Sequence, residues 1–267
     1  MAGNGRACYV YGVVTDDRAD DVVKDLPAVG DPDTAVTLVR QGGQAAVVSE
    51  VPTDKPLGTP DDLRAHARVL DALAADASPV LPFRFGTVVR DTEAVTGELL
   101  SEGHDDFDRA LERLRGRSQF TLRASYAQDA VLREVLEEQP EVRRLREELQ
   151  GLPEEAGYNE RIQLGQLVMD SIAAKREVDA LEVDRRLGPL ALASAASEPS
   201  SAEGLVNAAF LVDDARRAEF EHAAEELALH WRDRVQLRLL GPLAPYDFVA
   251  DALSEAEEPE PVTDTGG

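Results

Sequence analysis

The chain has 267 residues, 43 % of them hydrophobic and 30 % charged, which is enough apolar material for one or two folded domains. With 52 acidic and 28 basic residues, its formal net charge is −24. The negative electrostatic potential of such a protein makes nucleic acids and anionic lipid surfaces poor partners. No apolar run approaches the roughly 20 residues that span a bilayer, and Met1–Arg6 leads into a strand without an apolar signal-peptide core, so we expect a soluble, intracellular protein.

The first 90 residues show secondary-structure patterns in the order β-α-β-β-α-β. Aromatic and β-branched residues predict strands at Ala7–Thr15, Thr34–Gln41, Gln44–Val51 and Val80–Val89. Gly42-Gly43, between the second and third of these, is typical of a tight hairpin. A short acidic helix fits within Asp16–Leu26, and Thr59 is the N-cap of a longer helix with one apolar face. In the last strand, Phe83 and Phe85 alternate onto one face.

The remaining residues repeat this order with additional helices. Strands are predicted at Ser118–Tyr126, Leu190–Ala196, Leu205–Val212 and Arg234–Leu240, and helices at Gln128–Gln139, Pro140–Gln150, Tyr158–Leu187 and after Asp213. The last of these helices has one apolar face, formed by Phe220, Ala224, Leu227 and Trp231. We therefore expect an α+β protein with two ferredoxin-like βαββαβ domains. The first covers residues 1–90, a helical connection covers 91–117, and the second domain, enlarged by inserted helices, covers 118–250. Residues 251–267 are acidic and predict a disordered tail.

Nothing in the sequence carries a known catalytic or cofactor-binding pattern, so we expect neither an enzyme nor a bound cofactor. No P-loop, nucleophile elbow or zinc-protease motif occurs. The best metal candidate is the helical stripe His222, Glu226 and His230, but its ends lie about 12 Å apart, so a solvated polar face is favoured. His104, followed by Asp105, Asp106 and Asp108, is typical of a helix start with an acidic first turn. The single cysteine, Cys8, excludes an internal disulfide and is expected to be a small buried side chain.

Several exposed or aromatic side chains leave alternatives open. Tyr9 and Tyr11 alternate on the first strand as RNA-stacking residues do, but the acidic charge favours packing under a helix or at an interface. Arg84 lies between two phenylalanines and fits either a solvent-side arginine or an interface arginine. The long helix fits either a solvated face, with Arg176 outward and Leu181 inward, or a docking surface for another helix.

Three segments together carry a resemblance to a known family. They are CYVYGVV at Cys8–Val14, VLPFRFGTVV at Val80–Val89, and GPLAPYDFV at Gly241–Val249, preceded by LVNAAFLV. In this arrangement the chain resembles the GvpF/GvpL family of gas vesicle proteins over about residues 7–250. The family-motif positions are Phe83, Arg84, Phe85, Gly86, Gly241, Pro242, Pro245, Tyr246 and Phe248.

The resemblance implies a minor structural or accessory protein of the gas vesicle, a hollow, gas-filled protein shell that gives buoyancy. Family members are expected to bind the small hydrophobic shell protein and other gas vesicle proteins during assembly. The resemblance also implies a ferredoxin-like N-terminal domain and a more helical C-terminal one, without catalytic residues or a cofactor. The family-motif positions are then the first places to look for partner contacts.

A function of a different class is the alternative. A ferredoxin-like sensor or enzyme would bind a small ligand between sheet and helices, in a pocket lined by polar groups near Arg84, His66 or Tyr11.

Overall fold

The computed structural model describes residues 5–15, 19–76, 78–153, 157–199, 201 and 203–254. The chain divides into two compact units. Unit 1 combines the described parts of Met1–Arg115 and Ala244–Gly267, and unit 2 is the described part of Gly116–Leu243. Each unit contains one antiparallel sheet and several helices, so the chain is a mixed helix-and-sheet protein.

The strands are β1 (Arg6–Thr15), β2 (Thr37–Gln41), β3 (Gln44–Pro52), β4 (Val80–Pro82), β5 (Val88–Val89), β6 (Arg117–Tyr126), β7 (Ala193–Ser197), β8 (Gly204–Asp213) and β9 (Val235–Leu243). The helices are α1 (Ala19–Val23), α2 (Pro60–Ala75), α3 (Thr92–Ala94, continued by a π-helical turn at Val95–Leu100), α4 (His104–Leu114), α5 (Gln128–Glu138), α6 (Pro140–Leu149), α7 (Tyr158–Leu187), α8 (Arg217–His230) and α9 (Val249–Leu253).

Unit 1 is built around β1, the central strand of its sheet. The strand order is β2-β3-β1-β4, all antiparallel, and β5 also pairs with β1. The β2–β3 hairpin turns at Gly42 and Gly43, both with positive φ, so the predicted Gly-Gly hairpin is confirmed. Thr59 caps α2 as predicted, and its side chain and that of Asp62 form a reciprocal capping box.

Both faces of the unit 1 sheet are covered by helices. On one face Tyr9, Tyr11 and Val47 form a core with apolar residues of α1 and α2. On the other face Val10 and Val13 are fully buried, because α4 and the π-helical turn pack there. The helices expected from the sequence to connect two domains therefore form an additional layer on this sheet.

The predicted strand Val80–Val89 is interrupted, which corrects one expectation. Its ends pair with β1 as β4 and β5, but Phe83–Thr87 form a turn opposite only Val10 and Tyr11. Gly86 has a φ of 90°, a conformation that a glycine adopts without steric cost. As a result Phe83 packs on Phe107 of α4, at 5.8 Å between ring centroids, while Phe85 lies in the core under α2. The two phenylalanines therefore do not share a face.

Unit 2 repeats the strand order of unit 1. Its sheet runs β7-β8-β6-β9, all antiparallel, with α5, α6 and α7 between the first two strands in the chain and α8 between the last two. One face packs on α7 and α8 through a core that includes Phe120, Phe210 and Phe220. The apolar face predicted for α8 is confirmed, since Phe220, Ala224, Leu227 and Trp231 are all buried.

The ends of the predicted segments shift in two places. The last strand was predicted at Arg234–Leu240, but β9 continues through the cis peptide bond Gly241-Pro242 to Leu243. Asp251–Leu253, expected within a disordered tail, belong to α9, whose last carbonyls accept hydrogen bonds from Arg113 of α4. The rest of the predicted tail, residues 255–267, lies outside the described residues. Unit 1 thus includes residues 91–115 and 244–254 beyond the expected domain of residues 1–90.

Candidate functional site

A cluster of aromatic rings surrounds His66 inside unit 1. Tyr11 stacks on the imidazole at 5.7 Å between centroids, and Tyr9 and Phe85 meet it edge-on at 5.7 and 5.6 Å. Tyr246 approaches the same ring at 6.2 Å. The two tyrosines of β1 are therefore core residues under α2, as the favoured alternative predicted. Phe85 and Tyr246, which come from two separate family motifs, meet at this histidine.

Burial within this cluster favours a neutral His66. The hydroxyl of Tyr9 lies 2.8 Å from His66 Nδ1, and the backbone N–H of Gly86 donates to the Tyr9 oxygen at 3.2 Å. Burial lowers the pKa of His66 to about 4, partly offset by the nearby backbone of Phe83. Nε2 is buried without a hydrogen-bond partner among the described residues. This cluster therefore contributes packing and shape, and its interior is filled by rings.

Tyr246 forms the partly open edge of this cluster, with 37 % of its surface exposed. Burial, with the nearby Asp71 carboxylate, raises the pKa of the Tyr246 phenol. Burial also raises the pKa of Asp71, and the N–H of Ala244, which donates to its carboxylate at 3.4 Å, opposes this effect. The segment that carries Tyr246 is thus attached to α2 within unit 1.

A second feature is a seam along α7 in unit 2, whose large side chains are apolar in the first half of the helix. Positions 158, 162, 165, 169, 172, 176, 179 and 183 alternate in steps of four and three residues, the spacing of a coiled-coil seam. In the second half of the helix this seam faces inward, because Ile172, Asp179 and Val183 are partly or fully buried. In the first half, Tyr158, Ile162 and Met169 are 69, 56 and 68 % exposed. We call this first half, Tyr158–Ile172, the open seam.

A set of charged side chains attaches α7 to the rest of unit 2. Asp179 accepts hydrogen bonds from the Tyr126 hydroxyl at 2.5 Å and from Arg234 Nη2 at 2.6 Å. Arg234 Nε also donates to Glu134 of α5 at 2.7 Å, and its guanidinium lies 5.5 Å above the Tyr126 ring. Burial alone would lower the pKa of Arg234, but its hydrogen bonds to Asp179 and Glu134 outweigh this effect and raise the pKa. Lys175 adds ion pairs to Glu134 at 3.2 Å and to Glu138 at 2.7 Å.

The orientation of α7 corrects one expectation and explains why the open seam was hard to predict. Leu181, expected on the inner side, is 69 % exposed, and Arg176, expected outward, is partly buried. The inner face is set by Asp179, Val183 and Leu187, which recur at intervals of four residues. Because Asp179 is polar, the spacing of apolar residues does not mark its side of the helix as buried. The prediction from apolar periodicity therefore placed the inner face wrongly.

Comparison with known proteins decides the family. Residues 7–250 match the sequence profile of the family described as gas vesicle synthesis protein GvpL/GvpF. The chain belongs to this family. The resemblance seen in the sequence is therefore confirmed, and membership in the GvpL/GvpF family gives the chain a role in gas vesicle formation.

Relatives and solved structures agree with this assignment. A gas vesicle protein F from Streptomyces sp. (strain CB03234) is 32 % identical over 90 % of this chain and 98 % of that protein. A gas vesicle protein L from the same strain is 30 % identical over 95 % of this chain and 96 % of its own length. The crystal structure of GvpF from Anabaena sp. PCC7120 shares the fold, with a TM-score of 0.75 and 24 % identity over 91 % of this chain and 98 % of that chain.

The GvpL/GvpF motif positions fall into buried and open groups. Phe248 is buried, and Phe83, Phe85, Pro242 and Pro245 are partly or fully buried. A Cβ at Gly241 would overlap the ring of Phe120, so this position needs a glycine for close approach. Arg84 and Gly86 are exposed at the tip of the Phe83–Thr87 turn. The second motif is divided between the units, because Gly241 and Pro242 belong to unit 2 whereas Pro245, Tyr246 and Phe248 belong to unit 1.

The other candidates from the sequence lie apart from both features. His222 pairs with Glu226 at 3.5 Å on an exposed face of α8, and Asp105 and Asp106 lie in the first turn of α4. Burial raises the pKa of the Cys8 thiol to about 11, in line with its expected buried position. Within the described part of the chain, no three His, Cys, Asp or Glu side chains are placed to hold a metal ion. No helix among the described residues is both long and apolar enough to cross a membrane.

Proposed function

We propose that this protein is a minor structural or accessory component of the gas vesicle that binds the hydrophobic shell protein and other gas vesicle proteins during assembly. The observation that carries this proposal is the open seam of α7. Three large apolar side chains, Tyr158, Ile162 and Met169, project into solvent on one face of a long helix. An exposed helical face of this kind is typical of a protein-binding surface.

The charge around the open seam suits an apolar partner. Within Tyr158–Ile172 only Glu160, Arg161 and Asp170 are charged, in a chain that is 30 % charged with a net charge of −24. A shell subunit rich in apolar surface would aggregate before assembly. Contact with the open seam would cover part of that surface, while the acidic charge of the rest of the chain keeps the complex dispersed by repulsion.

The exposed part of the first family motif is a second candidate contact. The turn Phe83–Thr87 presents Arg84 to solvent, held by the hydrogen bonds of Thr87 to the Arg84 carbonyl at 2.7 and 3.2 Å. Arginine is enriched at protein interfaces because its planar head makes several hydrogen bonds at once. We assign this turn, with the exposed edge of Tyr246, to contacts with other gas vesicle proteins.

We further propose that both units are ferredoxin-like domains. In each unit the chain order β-α-β-β-α-β and the strand order across the sheet are the same. Unit 2 differs by the additional helices before its second strand, and unit 1 by the extra helical layer formed by α3 and α4.

A pull-down against the gas vesicle shell protein tests the proposed function. The variant I162D/M169D places two carboxylates on the open seam and should reduce capture of the shell protein at least tenfold, since each charge must be desolvated against an apolar partner. Capture by the unchanged protein should persist at high salt, because an apolar contact is not screened.

The matched control is V178D/L181D, which changes two side chains of similar exposure, 66 and 69 %, on the other side of the same helix. This control should capture the shell protein as the unchanged protein does. Equal loss in both variants would show that charge on α7, and not the open seam, governs capture. If the unchanged protein captures no shell protein at physiological or at high salt concentration, the proposed partner is wrong.

A further inference from the structure

The outer face of the unit 2 sheet carries an open hollow of about 650 Å³ with both polar and apolar residues in its lining. Its floor is the face of β6, β8 and β9 opposite to the core that packs on α7 and α8. Arg123 of β6 lies directly between Asn207 of β8 and Arg238 of β9 in the strand register. Ser125, two residues along the same face, lies opposite Gln236. The polar part of the lining therefore consists of two arginines with neutral polar side chains beside them, and Val206 and Leu237 add apolar surface.

The two arginines form an unfavourable pair unless an anion binds them. Like charges directly opposite on antiparallel strands destabilise a sheet, and arginine cannot lose its charge at ordinary pH. Neither Arg123 nor Arg238 forms an ion pair with a described residue, and none of the described residues that line the hollow is acidic. Arg6 and Arg234 form ion pairs, whereas Arg117 at the start of β6 forms none with a described residue. What distinguishes Arg123 and Arg238 is that they lie directly opposite one another on neighbouring strands.

Pro199 and Ser201 form one wall of the hollow, and a glycine allows them to approach the sheet. Pro199 and Ser201 line the hollow beside Gly204 at the start of β8. A Cβ at Gly204 would overlap Pro199 and lie 3.0 Å from the Ser201 carbonyl oxygen. Only a glycine lets Pro199 and Ser201 lie this close to the strand. The hollow is thus bounded by the sheet on one side and by these two residues on another.

We propose that this hollow binds a small molecule that carries a phosphate group. Two neighbouring arginine forks offer more donors than one carboxylate has oxygens, whereas a phosphate dianion has three free oxygens and the larger charge. The amides of Asn207 and Gln236 and the hydroxyl of Ser125 supply neutral hydrogen bonds that fix orientation. A volume of about 650 Å³ exceeds that of a lone phosphate and lies in the range of small-molecule sites.

Titration of the full-length protein with inorganic pyrophosphate and with inorganic phosphate, at constant ionic strength, tests the site. Binding is followed by calorimetry and by the rise in melting temperature that a ligand of the folded state produces. The variants R123Q and R238Q should each weaken pyrophosphate binding about tenfold or more, since each removes a charge-assisted contact. R117Q, at the exposed start of the same strand, is the matched control and should bind as the unchanged protein does.

Three outcomes would overturn the proposal. They are no binding of either anion up to about 10 mM, an affinity for pyrophosphate in R123Q and R238Q equal to that of the unchanged protein, or tighter binding of citrate than of pyrophosphate in the same titration, which would make the site one for carboxylates. The melting temperatures of the ligand-free variants show that they fold, and relief of the repulsion should leave them unchanged or slightly raised. Because no gas vesicle protein enters the assay, its result is independent of shell-protein binding.

Discussion

His66 shows how a single residue determines the pH response of unit 1. Its ring is enclosed by Tyr9, Tyr11 and Phe85, and only 5 % of the residue is exposed. Protonation would place a charge among apolar rings, so burial lowers the pKa to about 4. In the unfolded chain the same histidine has its ordinary pKa of about 6.5. The unfolded state therefore binds a proton that the folded state excludes between these two pH values.

The free energy of unfolding should follow from this difference. It is unaffected by His66 above pH 6.5, falls by up to about 3 kcal/mol as the pH drops from 6.5 to 4, and levels off below. Urea titrations of the unchanged protein and of H66N across this range measure it, since asparagine keeps an acceptor for Tyr9 but does not titrate. H222N, at an exposed histidine, should retain the slope of the unchanged protein. The same slope in H66N as in the unchanged protein would contradict this account.

At the scale of elements, α7 depends on a few buried charges for its attachment. Its inner residue Asp179 accepts hydrogen bonds from Tyr126 of β6 and from Arg234, which also binds Glu134 of α5. Asp179 is 8 % exposed. Removal of one partner from such a network leaves the other charge buried and partly unpaired, which costs more than the network itself contributes. The position of the open seam therefore depends on Asp179.

The variant D179A should lower the free energy of unfolding by about 1–3 kcal/mol, because the buried Tyr126 hydroxyl loses its acceptor and the partly buried Arg234 loses one of its two carboxylates. Hydrogen exchange should show the loss of protection first in α7. E177A, on the exposed side of the same helix, should change stability by less than about 0.5 kcal/mol. Unchanged exchange in α7 of D179A would mean that apolar packing alone holds this helix.

At the scale of the whole molecule, sequence patterns predicted the features that depend on neighbouring residues in the chain. The Gly42-Gly43 hairpin, the Thr59 cap and the apolar face of α8 were predicted because each depends on residues close together in the chain. The Phe83–Thr87 turn was not predicted, because the alternation of apolar and polar residues continues through it as in a strand. Only the pairing of β4 and β5 with β1 shows that these five residues leave the strand. The meeting of Phe85 and Tyr246 at His66 joins distant segments, which no local pattern reveals.

The last described residues of the chain, 244–254, belong to unit 1. Ala244, Phe248 and Ala252 are buried in it, although the chain passes through all of unit 2 before reaching them. F248A should destabilise unit 1 by about 3–5 kcal/mol, because it leaves a cavity in a buried site.

Hydrogen exchange shows which unit loses stability in F248A. Protection of β1 and β3 in F248A should decrease while that of β6 and β8 is unchanged, if the two units open separately. L253A, at a 38 % exposed position of the same segment, is the control and should cost less than about 1 kcal/mol. An equal loss of protection in both sheets of F248A would show that the two units unfold as one cooperative structure, and that the C-terminal segment stabilises the whole chain.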